Sequence, residues 1–398
     1  MAEQPAHNGS VTGSSPVAST NFRKEGSMFE NCKYKWDFIP TKEKQDAYED
    51  MIKQLNIISL EEFNKLTDEE QDSKVTEVIA ILRTRNIFPI YYFNHAGIIK
   101  EIKKVIAKND VKFVGNTLTT QSSQGLLVLD YLFPNLHRVE AGNATNNCMY
   151  SRFYDDAKLG KCLKRHMKVY GTFSNMRTPF FMYGRFFWNT ATNFAPMRAK
   201  AIFEKFCPKD GVIYDYSCGF GGRMLGCLVS KNNYKYIGCE PCNDTYYNLL
   251  QLGSYIEEAT KRKSSFEIHN KCSEDLELPA ASVDFAFSCP PFYGLERYSE
   301  EDTQSINRYP DYQDWLEKYV RPTVRNCYTA LKDSGLYGVD ITDINWKNKK
   351  YALVADWCHI AEEEGFVFDD KYSIVSRSRK DDCEGSNTEH VYIFRKGR

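Results

Sequence analysis

The sequence predicts an α/β protein, with a doubly wound, Rossmann-like sheet over residues 190–398 and a mostly helical region before it. Two observations carry this. Between residues 211 and 241 an apolar run (212–214) ends in Asp215, and the glycine cluster Gly219, Gly221 and Gly222 follows. A short amphipathic segment (223–229) leads to a second apolar run (234–239) that ends at Glu240. Strand, glycine turn, helix, strand and carboxylate is the outline of a βαβ unit that seats an adenosine-type cofactor. Beyond it, strand-like runs alternate with helical periodicities, the pattern of a sheet covered on both faces.

Composition sets the outer bounds. The chain has 398 residues, 42% hydrophobic and 14% aromatic, enough for a full core and more than one domain. With a net charge of −1 the chain as a whole is no obvious polyanion binder, so any nucleic-acid surface must be a local patch. Thirteen cysteines, odd in number and without a framework, fit reduced thiols and a cytoplasmic setting. No apolar run approaches the ~20 residues of a membrane span.

Taken in order, residues 1–28 are rich in Ser, Gly, Pro, Ala and Asn and are expected to form a disordered tail. Residues 29–189 form the helical, partly basic region. Within it 41–110 reads as helix, with Ser59 and Glu62 spaced as a capping box. Residues 41–80 hold 5 Lys against 11 Asp and Glu, expected to be a solvated helical face. The balance reverses in 151–200, where 10 Lys and Arg stand against 2 Asp with 11 aromatics interleaved. Cations among flat rings suit a phosphate backbone with stackable bases, and Lys161, Lys164, Arg165, Lys168 and Arg177 are the expected nucleic-acid contacts. The competing reading puts the aromatics in a core and the cations on one solvated helix face.

From residue 195 the α/β texture is regular. Helices are expected at 195–206, 244–262, 311–331 and 351–364, and strands at 266–269, 283–287, 336–340, 372–376 and 391–395. The strand at 283–287 runs into Cys289-Pro290-Pro291-Phe292. Two consecutive prolines fix the backbone and remove two N–H donors, and Phe292 stands beside them as a flat platform. In an open α/β sheet, ligands bind in the crevice at the carboxyl ends of the strands. The C-x-x-C of Cys239 and Cys242 straddles Glu240 and has no second pair at metal spacing, so no metal site is expected.

These motifs resemble those of the S-adenosylmethionine-dependent DNA amino-methyltransferases, which act on adenine N6 or cytosine N4. The stretch from Asp215 to Arg223 is similar to their D-P-F-x-G-x-G cofactor loop. Cys289-Pro290-Pro291-Phe292 is similar to their catalytic [DNS]-P-P-[YFW] tetrapeptide, and Asn193 to Pro196 to the element before the cofactor loop. The resemblance covers about half the chain, residues 190–398, and implies a methyltransferase domain there with DNA recognition in the N-terminal half; RNA stays open. It implies that Asp215 holds the methionine amino group, that Gly219, Gly221 and Gly222 line the cofactor, and that Glu240 takes the ribose hydroxyls. Ser273 or Asp275 would sit near the adenine, and Phe292 would stack on a flipped-out base.

One position departs from the family. Cys289 stands where Asp, Asn or Ser is expected, and sulfur is a weak hydrogen-bond acceptor. Three readings stay open. The Pro290 carbonyl serves as main acceptor, or Cys289 acts as a nucleophile at a pyrimidine carbon, or the protein is a catalytically silent nucleic-acid-binding subunit.

Overall fold

The computed structural model describes residues 42–397, apart from 86–87, 110, 121, 143–146, 175–179, 181–182, 188–189, 264 and 377–387. The expected tail at 1–28 and Arg177 lie outside the described residues. Among the described residues no helix is long and apolar enough to cross a membrane.

Nine strands build one sheet: β1 (Phe113–Val114), β2 (Thr117–Thr120), β3 (Val212–Asp215), β4 (Lys235–Cys239), β5 (Ser265–His269), β6 (Val283–Ser288), β7 (Leu331–Asp340), β8 (Phe366–Ser376) and β9 (Thr388–Lys396). Their order across the sheet is β1-β2-β8-β9-β7-β6-β3-β4-β5. The five strands from β7 to β5 run parallel, while β9 is antiparallel to both β7 and β8. The chain leaves β3 towards β4 and β5 on one side, then returns to lay β6 and β7 on the other. The carboxyl ends of β3 and β6 therefore flank the switch point of a doubly wound sheet, where a crevice opens.

Parallel strands covered on both faces must be apolar throughout. In β6 five of the six residues are buried, and in β3 Ile213, Tyr214 and Asp215 are. One face packs Phe285, Phe287 and Ile393 against the helices before the sheet. The other packs Tyr214, Tyr337 and Val339 against Trp315, Val324 and Trp357. The helix expected at 311–331 is a composite. Tyr312–Trp315 passes through one π turn, Leu316–Val320, into Arg321–Ala330. Pro322, which has no N–H to give, sits just past that turn.

The N-terminal region is helical, as its periodicity indicates, and the Ser59–Glu62 capping box forms with both hydrogen bonds in place. It also does what the sequence pattern did not suggest. β1 and β2 extend the main sheet, with Leu118 buried and paired in register with Ile374 of β8. The helices Lys42–Gln54, Asp68–Arg85, His95–Ala107 and Asp156–Tyr170 share one continuous core with the sheet across residue 190. The pairing Glu140–Ala141 with Glu296–Arg297 ties this region to the loop after β6.

Candidate active site

The site begins with three acids along the carboxyl edge of the sheet: Asp215 closes β3, Glu240 follows β4 and Asp340 closes β7, on the far side of β6 from β3. They serve different ends.

Asp215 is fully buried, and both of its oxygens are occupied. Oδ2 accepts from Arg223 Nε at 2.7 Å and from the Tyr236 hydroxyl at 2.8 Å. Oδ1 accepts from Ser288 Oγ at 2.8 Å and from the Ser217 amide at 3.3 Å. Arg223, itself buried, also donates to the Ser217 carbonyl and stands over the Phe194 ring. A buried ion pair with every lone pair satisfied is a fastener. It binds the end of β3, the glycine turn and the end of β6 into one block. The residue expected to hold a methionine amino group thus lies behind the cavity, turned away from it, and is absent from its lining.

The glycine turn divides its work two ways. Gly219 has φ +56°, and a Cβ placed there would come no nearer than 4.0 Å to any neighbour, the Ser217 carbonyl, so its missing side chain is open cavity. A Cβ at Gly221 would strike Leu252 and Phe133, and one at Gly222 would lie 1.9 Å from the Phe194 carbonyl. Gly221 and Gly222 therefore allow the helix Gly222–Leu228 to pack against its neighbours, and only Gly219 of the three faces the cavity.

Glu240 is buried at the cavity wall and grips the same turn. Its Oε2 accepts from the Gly219 amide at 3.1 Å and Oε1 from the Cys242 amide at 2.9 Å. Burial pushes its carboxyl up to about 8, against those two hydrogen bonds. Ser273 also lines the cavity, its hydroxyl 2.8 Å from that of Thr323. Asp275 does not. It turns outward to Arg308, 2.6 Å away, which also holds Glu274 at 2.7 Å. Cys272, Glu274 and Asp275 come together, but a guanidinium rests on both carboxylates, the reverse of what a cation would require.

On the opposite wall stand Cys289, Pro291 and Phe292, while Pro290 is buried beneath them. The loop is braced from behind. The Tyr293 hydroxyl donates to the Pro310 carbonyl at 2.6 Å, and its ring packs among Tyr312, Trp346 and Tyr351. Burial raises the Cys289 thiol well above its ordinary value. The Asp340, Glu389 and Glu296 carboxylates add to this, while Arg223 opposes it. A thiol held neutral among carboxylates is a poor nucleophile, which weighs against attack by Cys289 at a pyrimidine carbon.

The cavity, about 330 Å³, joins the Gly219–Glu240 wall to the Cys289–Phe292 wall. It also contains residues not singled out from the sequence: Arg198, Glu296, Tyr298, Asp340 and Glu389. Asp340 did carry a signal, since it ends an expected strand just as Asp215 does. Glu296 and Glu389 reach the site only through the fold of a loop and the antiparallel return of β9.

Of the expected nucleic-acid contacts, Lys164 and Lys168 pair with carboxylates of the acidic helix Asp68–Arg85. Lys164 Nζ lies 2.6 Å from Asp72 and 3.3 Å from Asp68, and Lys168 lies 3.3 Å from Asp68. The acidic and basic stretches, read separately in the sequence, neutralise each other in part. Lys161 and Arg165 are exposed on the same helix, Asp156–Tyr170.

No family model and no curated protein matches the chain. Several solved structures are similar to it. A TehB-like S-adenosylmethionine-dependent methyltransferase from Corynebacterium glutamicum is 16% identical over 52% of this chain and 90% of its own, with a TM-score of 0.32. Geranyl diphosphate C-methyltransferase from Streptomyces coelicolor, solved with S-adenosyl-L-homocysteine, is 10% identical over 50% of this chain and 78% of its own, with a TM-score of 0.35. A putative rRNA methylase from Clostridium thermocellum is 8% identical over 52% of this chain and 99% of its own, with a TM-score of 0.33.

Proposed function

We propose that this chain is an S-adenosylmethionine-dependent methyltransferase that acts on an exocyclic amino group of a nucleobase, adenine N6 or cytosine N4, in DNA. The observation that supports it is a single cavity at the switch point of the sheet. One wall is a glycine turn held by a buried carboxylate, and the other is Cys289-Pro290-Pro291-Phe292. The cofactor fits what is present: open space at Gly219 for close approach of its chain, Glu240 for a ribose diol and Ser273 in the same lining. When bound, it supplies an electrophilic methyl group on a sulfonium centre.

The protein's own residues handle the acceptor. An exocyclic amino group is a poor nucleophile because its lone pair is delocalised into the ring, and accepting a hydrogen bond from its N–H localises that pair. Phe292 offers a face on which an extruded base stacks. The fixed prolines hold the base so that proximity and orientation do most of the work. The strand ends are locked to one another through Asp215, Arg223 and Ser288, so the two walls keep their spacing.

The test has two parts. Calorimetry of the full chain with S-adenosylmethionine is expected to show one binding site, and absence of binding overturns the reading. Mass spectrometry of nucleosides from the DNA and RNA of cells that express the protein is expected to show N6-methyladenine or N4-methylcytosine in DNA. Methylated bases confined to RNA would move the substrate, and their absence from both would leave a binding subunit in place of an enzyme.

A further inference from the structure

We infer that Asp340 provides the carboxylate that accepts the substrate's amino hydrogen, the role that the first residue of the Cys289 tetrapeptide lacks the chemistry to fill. This rests on the methyltransferase reading above.

The placement follows from the sheet. β6 and β7 are parallel neighbours in which Ser288 is in register with Val339. Cys289, the first residue after β6, and Asp340, the last of β7, therefore follow that pair directly and meet at the crevice. Both line the cavity, and so does Phe292. A carboxylate on β7 thus stands next to the position from which the tetrapeptide's own side chain would act.

Its bonding state points the same way. Asp340 is buried, 4% exposed, and its Oδ2 has no hydrogen-bond partner. An orphaned carboxylate oxygen at a cavity wall is costly unless a donor arrives. The neighbouring acids are already engaged: Glu296 accepts from the Tyr298 hydroxyl and Glu389 pairs with Arg198. The groups around Asp340 come from four elements. Arg198 lies on the helix Pro196–Phe206, Arg223 on Gly222–Leu228 and Glu389 on β9, with Cys289 and Glu296 in the loop after β6. Burial and Glu389 push the Asp340 carboxyl up to about 7, against the two arginines. A carboxylate of that basicity takes a proton readily.

The chemistry balances with one base and one sulfonium donor. The amino nitrogen donates an N–H to Asp340 Oδ2, and its localised lone pair forms the new N–C bond. The pair of the breaking C–S bond leaves with sulfur, and the surplus proton on nitrogen passes to the carboxylate and then to water. Cys289 then has a different part, a small neutral neighbour that leaves room for the acceptor arriving from the next strand.

The experiment compares wild type, Asp340→Asn and the double variant Asp340→Asn with Cys289→Asp. The probes are tritiated S-adenosylmethionine and DNA amplified in vitro, which carries no methyl marks. Asp340→Asn is expected to bind S-adenosylmethionine as wild type does, which shows that it folds, and to transfer methyl groups roughly 100-fold more slowly. Wild-type kcat should rise with pH as Asp340 ionises, and the Asn variant should lose that rise. In the double variant, which restores an acid at the first position of the tetrapeptide, transfer should recover.

A readout without the donor checks the same contact. Single-stranded oligonucleotides carrying adenine or cytosine should bind wild type about tenfold more tightly than counterparts with purine or 2-pyrimidinone, which lack the amino group, and Asp340→Asn should not discriminate. Undiminished transfer by Asp340→Asn overturns the inference and leaves the methyltransferase reading intact. A slower variant that keeps the wild-type pH profile also overturns it, because Asp340 would then be scaffold. If wild type binds no S-adenosylmethionine, the broader reading falls and this one falls with it.

Discussion

Ser288 Oγ donates to Asp215 Oδ1 at 2.8 Å, joining the ends of the two strands between which the sheet changes direction. Arg223 completes the junction from the first turn of the next helix, bonded to both residues. The switch point is therefore a buried electrostatic knot, with the cavity in front of it. Replacing Asp215 with Ala should leave Arg223 buried and uncompensated, at a cost of about 3–5 kcal/mol. Urea unfolding would measure this. A variant of normal stability that merely binds S-adenosylmethionine more weakly would instead make Asp215 a direct contact.

The glycines separate scaffold from seat. Gly219→Ala adds a methyl group to open cavity at φ +56°, with about 1–2 kcal/mol of backbone strain, so the protein should fold and lose cofactor affinity. Gly222→Ala would drive a Cβ into the Phe194 carbonyl and should abolish soluble folded protein. Circular dichroism followed by calorimetry distinguishes the two. Equal behaviour of both variants would contradict the division of labour within the turn.

Much of this was legible beforehand, for a physical reason. Buried parallel strands must be apolar, and a turn that approaches a ligand must shed its Cβ, so 212–241 and 283–292 announce both element and location. Asp215 shows the limit of that reading. An acid at a strand end looks the same whether it faces a ligand or a buried arginine, and in the sequence Arg223 ends the cofactor-loop stretch and opens a helix with nothing to mark it as the partner of Asp215. β1 and β2 were hidden because a two-strand extension made of Phe113–Val114 and Thr117–Thr120 is too short to show alternation. The cancellation of Asp68 and Asp72 by Lys164 and Lys168 depends on two helices far apart in sequence meeting side by side.

Several buried acids give stability a definite pH dependence. Burial pushes Glu240 up to about 8 and Glu274 and Asp340 up to about 7, each above the value the unfolded chain would have. A carboxyl raised on folding holds its proton in the native state while the unfolded chain has already released it. Its contribution is fully present below the unfolded value, near 4, and is lost as pH rises through the folded one. The cofactor-free protein should therefore melt at progressively lower temperature as pH rises from about 4 to about 8. Glu240→Gln should flatten the upper part of that fall. A Tm that climbs over the same range would show that these carboxyls are ionised in the native state.

If the substrate is nucleic acid, its phosphates need cations close to the cavity, and the fold suggests where. The hairpin Ile344–Trp346 paired with Lys349–Tyr351 starts two residues after Thr342, which lines the cavity. Trp346 packs its ring on Tyr293 at 5.4 Å and lies close against Gly294, in the loop that carries Phe292. Its tip, Lys347-Asn348-Lys349-Lys350, is exposed, and both Lys347 and Asn348 have positive φ, as a tight two-residue turn requires. Lys349 and Lys350, on a hairpin packed against the loop that carries Phe292, are better placed to meet a strand whose base enters the cavity than Lys164 and Lys168, which pair with Asp68 and Asp72. Charge reversal at Lys349 and Lys350 should weaken DNA binding and reduce the slope of log affinity against log salt by about 2, whereas reversal at Lys164 and Lys168 should lower stability and leave that slope unchanged. Filter binding across a salt series, together with thermal melts of the same variants, decides between the two surfaces. The opposite result would return the contact to the helix Asp156–Tyr170.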